Sequence, residues 1–313
     1  MKVIILDIVD NLLISKLEDN GVKCEIKNLV AKNDIKKIIN RYDGIIIRSR
    51  FKIDKDFLDQ CTNVKFIARA GSGMENINVK YAESKGIKCF NSAAGNAQAV
   101  AEHALSMLLN LFNKISIANN EVKNGIWKRE QNRGIELKAK TVGIIGFGNT
   151  GSAFARVLKG FDLRILCYDK YLKKYDFQSS MQEIFKYSDI ISINIPLNLE
   201  TQYIVNKDFI KNCNKPFYLI NTSRGECVKN NDIVEALKAN KILGACLDVI
   251  ENEEISFENI LSNKEDKNLK YLLESNKTIL TPHIAGWTTE STIKISHIIS
   301  EKILNLKNLY IRN

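Results

Sequence analysis

The sequence predicts an α/β fold made of two doubly wound, Rossmann-like units with parallel sheets. Its 313 residues suffice for two domains that each have a core of their own. Short runs rich in β-branched residues alternate with helix-like stretches along the whole chain, which is the pattern of parallel sheets covered by helices. A glycine-rich turn in the middle of the chain follows one such run and opens a helix.

Two series of strands are predicted, and a long helix separates them. The first series consists of residues 2–8, 24–30, 44–50, 65–71 and 88–93. The second series consists of residues 141–146, 164–169, 189–195, 217–223, 244–250 and 278–283. In the intervening stretch AVAEHALSMLLNLFNKIS, apolar residues recur at spacings of three and four from Val100 to Ile115, which predicts one continuous helix.

The last stretch of the chain, residues 288–310, is also predicted to be a helix. We expect it to pack back on the first unit, which would make that domain discontinuous. The predicted domains are therefore a flavodoxin-like one, formed by residues 1–93 and 287–313, and a Rossmann domain formed by residues 94–286. A segment rich in Lys and Asn, residues 262–270, is expected to be a surface loop.

Composition and charge exclude several classes of protein. Hydrophobic residues make up 45% of the chain and charged residues 26%, as in soluble globular proteins. The longest apolar runs fall far short of the roughly 20 residues that a membrane helix needs. The net charge of +10 comes from lysines that are dispersed along the chain, so it does not indicate a nucleic-acid partner.

The amino terminus and the cysteines favour the cytoplasm. The start MKVIILDIVD contains two acidic residues and no small-residue cleavage site, so it does not read as a secretory signal. The seven cysteines are scattered without a C-x-x-C pair, and several lie in apolar, strand-like runs. We therefore expect buried thiols in a reducing compartment, with neither a disulfide framework nor a metal site.

The stretch TVGIIGFGNTGSAFARVLKGFDLRILCYD has the pattern of a dinucleotide-binding βαβ unit. Its loop consists of Gly146, Phe147, Gly148, Asn149, Thr150 and Gly151. The glycines permit a tight turn and close approach to a pyrophosphate, which would bind at the amino end of the following helix. Asp169, eighteen residues after Gly151, would accept hydrogen bonds from the ribose and repel a 2′-phosphate, which favours NAD. The neighbouring Lys170 keeps NADP as an alternative.

Residues with acid–base chemistry follow three strands of the second series. In an open α/β sheet the ligand site lies outside the carboxyl ends of the strands. Arg224 follows the strand predicted at 217–223, and His283 closes the strand predicted at 278–283. The strand at 244–250 contributes four carboxylates at or beyond its end: Asp248, Glu251, Glu253 and Glu254. A cation, a carboxylate and an imidazole are therefore expected to converge at the nicotinamide end of the cofactor.

The three histidines of the chain stand in different contexts. His283 lies directly after an apolar strand and beside Pro282, one of only three prolines, which favours a role in chemistry. His103 and His297 lie within predicted helices, and we expect both to be structural.

These motifs resemble those of the D-isomer-specific 2-hydroxyacid dehydrogenases, and among them of the 3-phosphoglycerate dehydrogenases. The resemblance covers nearly the whole chain and rests on RSR, RAGSGMENIN, GNAQAVAEHAL, GFGNTG, INIPLNLET, NTSRGE, LDVIENEE and TPHIAGWT. It implies that residues 94–286 bind NAD and that residues 1–93 and 287–313 bind the substrate. The chain departs from the family pattern at Glu254, where a proline is usual.

The resemblance also implies a role for each site residue. His283 would be the general acid/base, and Arg224 would bind the substrate carboxylate and polarise the C2 oxygen. A carboxylate would hold the imidazole and favour its protonated form, and the five-residue step from Asp248 favours Glu253 for this role over Glu251 and Glu254. Asp248 would bind the nicotinamide carboxamide. Further residues that would line the cofactor are Pro196, Thr201, Thr222, Ser223 and Gly286.

The expected substrate is 3-phospho-D-glycerate, oxidised to 3-phosphooxypyruvate in serine biosynthesis. The residues expected to bind it are Arg48, Ser49, Arg69, Gly71, Ser72 and Gly73, with Arg50 and Lys52 as further cations nearby. Because the chain stops at residue 313, serine feedback through a regulatory domain is not expected. Two alternatives stay open: a dehydrogenase acting on hydroxypyruvate, glyoxylate or D-lactate, and a non-catalytic protein that senses NAD.

A homodimer, or a dimer of dimers, is the expected assembly. In the family the connecting helix and the segment after it embrace the partner, which here corresponds to residues 94–135. The apolar residues expected at this interface are Leu105, Leu108, Leu109, Phe112 and Trp127. A helix that is apolar over so wide an arc needs more than one packing surface.

Overall fold

The computed structural model describes residues 1–251, 253 and 266–312, and these form two compact units. The described residues of the first unit lie within Met1–Ala97 and Trp287–Asn313. Those of the second unit lie within Gln98–Glu253 and residues 266–286. Each unit is an α/β fold with one parallel sheet, so the predicted fold class is confirmed.

Strands and helices alternate along the chain. The first unit contains β1 (Lys2–Ile5), α1 (Asn11–Asp19), β2 (Lys23–Ile26), α2 (Lys32–Ile38), β3 (Gly44–Ile47), α3 (Lys55–Asp59), β4 (Phe66–Arg69), α4 (Val79–Ser84) and β5 (Lys88–Asn91). Then follow α5 (Ala97–Asn113), α6 (Ile115–Lys123), β6 (Thr141–Ile145), α7 (Asn149–Leu158), β7 (Arg164–Tyr168), α8 (Met181–Tyr187) and β8 (Ile190–Ile193). The remaining elements are α9 (Lys207–Asn212), β9 (Phe217–Asn221), α10 (Asn230–Lys238), β10 (Ile242–Leu247), α11 (Lys267–Glu274), β11 (Thr278–Leu280) and α12 (Thr289–Arg312).

The sheet of the first unit has the strand order β2-β1-β3-β4-β5, which is the flavodoxin-like order. Successive side chains of a strand point to opposite faces, so β1 supplies both cores of this unit. Val3 and Ile5 pack with buried residues of α1 and α12, whereas Ile4 packs with α2 and α3 on the other face. The apolar residues of α12, such as Ile299 and Ile303, therefore cover the sheet of the first unit.

The sheet of the second unit has the order β11-β10-β9-β8-β6-β7, and all its strands are parallel. The chain moves outward from β6 in both directions, to β7 on one side and to β8 on the other. The crevice at the carboxyl ends of β6 and β8 is therefore the topological switch point, where ligands bind in such sheets. Helix α5 packs on this sheet, with the rings of Phe112 and Tyr218 4.6 Å apart.

Two sequence-based expectations about helices are wrong in detail. The helix predicted across residues 99–116 ends at Asn113, because Lys114 has a left-handed φ of 52° and α6 starts anew after it. The surface loop predicted at 262–270 gives way to α11 from Lys267 onward, and residues 262–265 lie outside the described residues. Asp266 caps α11, which buries Leu269 and Leu272. The lysines and asparagines around these two leucines made the segment look like a polar loop in the sequence.

All seven cysteines lie in the described part of the chain and are thiols. Burial raises the pKa of Cys61, Cys167 and Cys213 to about 12, so these side chains stay protonated at neutral pH. Among the described residues, no helix combines the length and apolar character needed to cross a bilayer.

Candidate active site

The glycine loop begins at Gly146, where β6 ends at the switch point of the second unit. Gly146 has a φ of 91°, and a Cβ there would lie 2.2 Å from the Asn194 carbonyl oxygen beyond β8. A Cβ on Gly151 would lie 1.9 Å from the carbonyl oxygen of Gly146. These clashes are with backbone atoms, so only glycine fits at either position.

Gly148 leaves an open cradle in front of α7. Gly148 occupies the N-cap position of this helix, where it has no side chain to accept the first N–H groups. No atom lies within 4 Å of the position that its Cβ would occupy. The first-turn N–H groups of Asn149 and Thr150 therefore have space before them for an anion, which the positive end of the helix would attract. This cradle fits the pyrophosphate of a dinucleotide.

Asp169 follows β7 and holds two loops at the edge of this cradle. One carboxylate oxygen accepts the N–H of Phe147 at 2.8 Å, and the other accepts those of Tyr171 at 2.9 Å and Leu172 at 3.0 Å. Burial raises the pKa of this carboxyl, but the three N–H donors outweigh it and hold the pKa below its usual value. A carboxylate accepts about four hydrogen bonds, so a position remains for a ribose hydroxyl.

Lys170, which kept NADP open as an alternative, is paired within the unit. Its ammonium lies 2.6 Å from the carboxylate of Glu200, which also accepts the Tyr171 hydroxyl at 2.8 Å. The charge of Lys170 is thus offset locally, whereas that of Asp169 interacts with neutral N–H groups. The local charge at this edge therefore disfavours a 2′-phosphate.

The hydroxyls predicted to line the cofactor differ in whether they already have hydrogen-bond partners within the protein. The Ser223 hydroxyl bridges the ends of two strands, because it donates to Ile193 O at 2.7 Å and accepts from Ile195 N at 3.2 Å. The Thr201 hydroxyl donates to Pro196 O at 2.6 Å. The Thr222 hydroxyl is buried and has no hydrogen-bond partner among the described residues. A buried hydroxyl in that state fits a ligand that would satisfy it.

Arg224 and His283 stand at matching depths beyond β9 and β11, the two strands that flank β10. Asn221, Leu247 and Leu280 are paired across β9, β10 and β11, so the carboxyl ends of these strands lie side by side. Arg224 comes three residues after Asn221, and His283 comes three residues after Leu280. The parallel register thereby brings a cation and an imidazole to one edge of the sheet.

A tight turn fixes Arg224. The buried Asn221 amide donates to Arg224 O at 2.9 Å, and the Arg224 guanidinium donates to Ser223 O at 2.6 Å. A Cβ on Gly225 would lie 1.9 Å from Ile250 O, so the backbone next to Arg224 packs directly on the segment after β10. Sequence reasoning assigned no role to Gly225, although its place directly after the arginine in NTSRGE was a signal.

His283 is hydrogen-bonded to Glu253. Its Nδ1 lies 2.7 Å from Glu253 Oε2, and both side chains are largely buried. Because an ionised carboxylate only accepts hydrogen bonds, Nδ1 carries the proton of this contact. Glu251 is engaged elsewhere, since it accepts the Tyr203 hydroxyl at 2.7 Å and the Asn230 N–H at 3.0 Å. Glu254, the third candidate, lies outside the described residues.

Asp248 holds the turn that carries His283. Its carboxylate accepts the N–H groups of Ile284 and Ala285, both at 2.9 Å, and its carbonyl oxygen accepts that of His283 at 2.8 Å. The side chain is 2% exposed. Asp248, predicted to bind the nicotinamide, therefore has a structural task that the sequence did not reveal. Gly286, another predicted cofactor residue, ends this turn.

The basic residues proposed for the substrate lie in the first unit, at the ends of β3 and β4. The Arg48 guanidinium stacks on the Trp287 ring, 4.0 Å from its centroid. Burial lowers the pKa of Arg48 below its usual value, although the negative charge of Asp7 acts in the opposite direction. Asp7 also accepts the N–H of Arg48 at 2.6 Å, which fixes the turn that contains Ser49. Arg50 binds only backbone in the hydrogen bonds described, donating to Lys27 O at 2.9 Å and Val30 O at 2.7 Å. Its role as a candidate cation for substrate is thus not favoured.

The second turn of this group follows β4. The Arg69 guanidinium lies against Gly71, where a Cβ would come within 1.6 Å of it. Ser72 donates to the Asn96 side chain at 2.6 Å, and its carbonyl oxygen accepts the Asn91 amide. Gly73 follows in the same turn. Across the described residues, no group of three or more His, Cys, Asp or Glu side chains has the arrangement of a metal site.

The fold and the site define a dinucleotide-binding protein that has an acid–base pair at the carboxyl edge of its sheet. Residues 105–285 match the family model of the D-isomer specific 2-hydroxyacid dehydrogenases, NAD binding domain. The chain belongs to the D-isomer specific 2-hydroxyacid dehydrogenase family. The resemblance inferred from the motifs is thereby confirmed, and the description of the matched domain agrees with the predicted cofactor, NAD.

The relatives differ in the substrates that their names state. The chain is 32% identical to D-3-phosphoglycerate dehydrogenase of Archaeoglobus fulgidus, over 100% of this chain but only 59% of that protein's length. It is 33% identical to hydroxypyruvate reductase of Thermotoga maritima, over 88% of each chain. The structure of D-lactate dehydrogenase from Aquifex aeolicus, complexed with NAD and lactic acid, matches with a TM-score of 0.83 at 28% identity, over 100% of this chain and 97% of that one.

Proposed function

We propose that the protein interconverts a D-2-hydroxy acid and its 2-oxo acid with NAD as the hydride carrier. The observation that carries this proposal is the hydrogen bond between His283 Nδ1 and Glu253, at the sheet edge where Arg224 also stands. Such a pair can exchange a proton at the second ring nitrogen, and a guanidinium beside it can bind a carboxylate.

Each side chain has a defined task in this reaction. When bound, NAD supplies the hydride chemistry at its nicotinamide ring. During oxidation, Nε2 of His283 takes the proton of the substrate hydroxyl, and the resulting imidazolium is stabilised by the carboxylate of Glu253. Arg224 binds the substrate carboxylate and places the C2 oxygen near the imidazole. During reduction, the same Nε2 returns the proton to the C2 oxygen.

The residues of the second unit that would hold NAD divide by what they can bind. The N–H groups at the start of α7, behind Gly148, would bind the pyrophosphate, and Asp169 would accept a ribose hydroxyl. The buried Thr222 hydroxyl would gain a partner. Asp248 and Gly286 would border the nicotinamide, with Pro196, Thr201 and Ser223 shaping the wall beyond β8.

Our first candidate substrate is 3-phospho-D-glycerate, which would place the protein in serine biosynthesis. It is supported by the relative of that name, which is matched along the whole chain. In this proposal Arg48 and Arg69, with the N–H groups of the Gly71–Gly73 turn, bind the phosphate. Hydroxypyruvate is the second candidate, because the relative of that name covers nearly as much of the chain at a similar identity.

A panel of acids tests the proposed function. The purified protein is assayed with NAD and 3-phospho-D-glycerate, D-glycerate, glycolate and D-lactate, and with NADH and the corresponding oxo acids. We expect kcat/KM to be highest for the phosphorylated acid, and Arg48→Ala and Arg69→Ala to lower that value without lowering it for glycolate. If kcat/KM were highest for D-glycerate, hydroxypyruvate would instead be favoured as the oxo-acid substrate. Binding of NAD without turnover of any acid would support the non-catalytic alternative.

We expect Asp169→Asn to weaken NAD binding and to narrow the preference over NADP. The asparagine keeps an acceptor oxygen but removes the charge that a ribose hydroxyl binds and a 2′-phosphate avoids. One lost charge-assisted hydrogen bond is worth about 1.5–3 kcal/mol, or roughly ten- to a hundredfold in affinity. The measurement is the Kd of each dinucleotide by quenching of tryptophan fluorescence.

A matched control for this variant is Asp162→Asn. Asp162 is exposed and has a left-handed φ of 49°, which asparagine tolerates, so the same chemical change is made away from the cradle. We expect the control to leave both Kd values unchanged. Equal affinity of the unmodified protein for NADP and NAD would contradict the role of Asp169.

We further propose a homodimer that forms through the segment around α6. Of the apolar residues expected there, Leu108 and Phe112 are buried inside the second unit, Leu105 and Leu109 are half-buried, and Trp127 is 82% exposed. The same segment also exposes Ile115, Val122 and Ile126. Light scattering should report a dimer at micromolar concentration, and Trp127→Glu should shift it toward the monomer. A monomeric unmodified protein would rule the proposal out.

The cytoplasm is the compartment that we propose for the protein. The support is chemical, since seven thiols without disulfides are typical of proteins in a reducing compartment.

A further inference from the structure

The turn that carries His283 is strained and depends on its surroundings. His283 has a φ of 54°, in the left-handed region that a residue with a Cβ rarely adopts. Such a conformation persists only where neighbouring groups hold it in place. Here the holding group is Asp248, whose carboxylate and carbonyl oxygens accept the N–H groups of three successive residues, His283 to Ala285.

Thr281 fixes the carboxylate of Asp248. Its hydroxyl donates to Asp248 Oδ1 at 2.6 Å. The other possible acceptors are neutral and farther away, namely Nε2 of His103 at 3.0 Å and the thioether of Met107 at 3.6 Å. The hydroxyl has one hydrogen, which the charged oxygen therefore takes. Thr281 directly follows β11, with its side chain turned toward the Asp248 carboxylate and its backbone leading into the strained turn.

His103 on α5 completes this chain of hydrogen bonds. Its Nε2 lies 3.0 Å from the Thr281 hydroxyl oxygen and 3.6 Å from Asp248 Oδ1. Because the Thr281 hydrogen goes to the carboxylate, the Thr281 oxygen accepts, and Nε2 of His103 must carry a proton. The direction of donation is therefore fixed from His103 to Thr281 and from Thr281 to Asp248.

We propose that His103 and Thr281 are positioning residues, which act through Asp248 to hold the imidazole of His283 in line with Glu253. The inference deepens the proposed function and rests on it, because it assumes that His283 exchanges the proton. It also changes the role of His103, which the sequence predicts to be purely structural. All residues of the relay belong to the second unit.

The test replaces Thr281 by valine, which has the same shape but no hydroxyl. We expect kcat to fall about tenfold, with the Kd of NAD and the KM of the acid changed by less than about twofold, because the loss of one hydrogen bond to a charged group lets the His283 turn relax. In the protein without substrate or NAD, the backbone N–H groups of Ile284 and Ala285 should exchange with solvent about tenfold faster. Residue-resolved hydrogen exchange by NMR measures this directly.

Conservative variants and a matched control separate positioning from stability. Thr281→Ser and His103→Gln each keep a hydrogen-bond donor, so their kcat should stay within about threefold of the unmodified protein. His103→Leu removes the donor and should lower kcat and speed exchange as Thr281→Val does. The double variant His103→Leu/Thr281→Val should lose no more than either alone. The control is Thr278→Val, three residues before Thr281 at the start of β11, which removes a hydroxyl bonded to Leu272 O at 2.6 Å and should lower the melting temperature without lowering kcat.

The outcomes distinguish this inference from the proposed function. Faster exchange at Ile284 and Ala285 together with lower kcat supports both. Faster exchange with unchanged kcat would overturn the positioning role of Thr281 and His103, whereas near-normal turnover in His283→Gln would overturn the proposed function. Unchanged exchange at both residues in Thr281→Val, or an equal loss of kcat in Thr278→Val, would overturn the inference.

Discussion

Replacement of His283 by glutamine is expected to lower turnover by about 10² to 10⁴-fold, which is the usual contribution of a general acid–base group. Glutamine has a similar reach and can still form a hydrogen bond with Glu253, but it cannot exchange a proton near neutral pH. Binding of NAD should change little, because the groups proposed to bind its pyrophosphate and ribose, the N–H groups at the start of α7 and the carboxylate of Asp169, are left unchanged. The measurement is single-turnover hydride transfer followed by NADH absorbance, with the Kd of NAD determined separately.

The matched control for this variant is His297→Gln. His297 lies on α12 in the first unit, where its Nδ1 contacts the ammonium of Lys16. The same substitution is thus made at a histidine to which no part of the mechanism is assigned, and turnover should stay within about twofold. Retention of more than about a tenth of normal turnover in His283→Gln would mean that the proton comes from another group.

Substitution of Arg224 by lysine is expected to lower kcat/KM for the acid by about ten- to a hundredfold, with most of the change in KM. The charge is kept, but an ammonium cannot reproduce the two parallel hydrogen bonds of a guanidinium to a carboxylate, and that loss is worth about 1.5–3 kcal/mol. The turn should survive, because Asn221 holds it through the backbone oxygen of residue 224. Steady-state kinetics with varied acid at saturating NAD measures the effect.

Arg164→Lys provides the comparison for this charge-conserving change. Arg164 starts β7, at the opposite edge of the sheet from β11, after which His283 follows, and its guanidinium lies 4.9 Å from the centroid of the Tyr187 ring. We expect its KM values to match those of the unmodified protein. If Arg224→Lys kept a normal KM and a normal kcat, the substrate carboxylate would have to bind to a different cation.

Much of the fold follows from local patterns of the sequence. Each predicted strand overlaps a strand of the structure, because the strands of these parallel sheets are short runs rich in apolar and β-branched residues. The predicted bounds are longer than the observed ones, as at 24–30, where the strand is Lys23–Ile26. The glycine loop at 146–151 could also be predicted from the sequence, because the clashes that require glycine there involve only atoms of the same turn and of the segment after β8.

The sequence-based predictions fail where the structure depends on contacts between distant residues or on a single backbone angle. The left-handed Lys114 splits the helix predicted across 99–116, and no apolar spacing reports such an angle. Arg50 was read as a candidate cation for substrate, but its guanidinium is used on backbone carbonyl groups of Lys27 and Val30. Those groups lie 20 and 23 residues earlier in the chain, and a sequence pattern does not show which loop ends meet.

The sequence by itself determined the class of fold, the family, the dinucleotide cradle and the set of residues able to do the chemistry. The tertiary structure decided which members of that set meet. Glu253 contacts His283, whereas Glu251, only two residues away, turns to Tyr203 and the start of α10. It also joined His103 to Thr281, at the start of the turn that carries His283, across 178 residues of sequence. The physical reason is that a hydrogen bond forms only when donor and acceptor lie within a few tenths of an ångström of about 2.9 Å, and packing between elements far apart in the chain sets that distance.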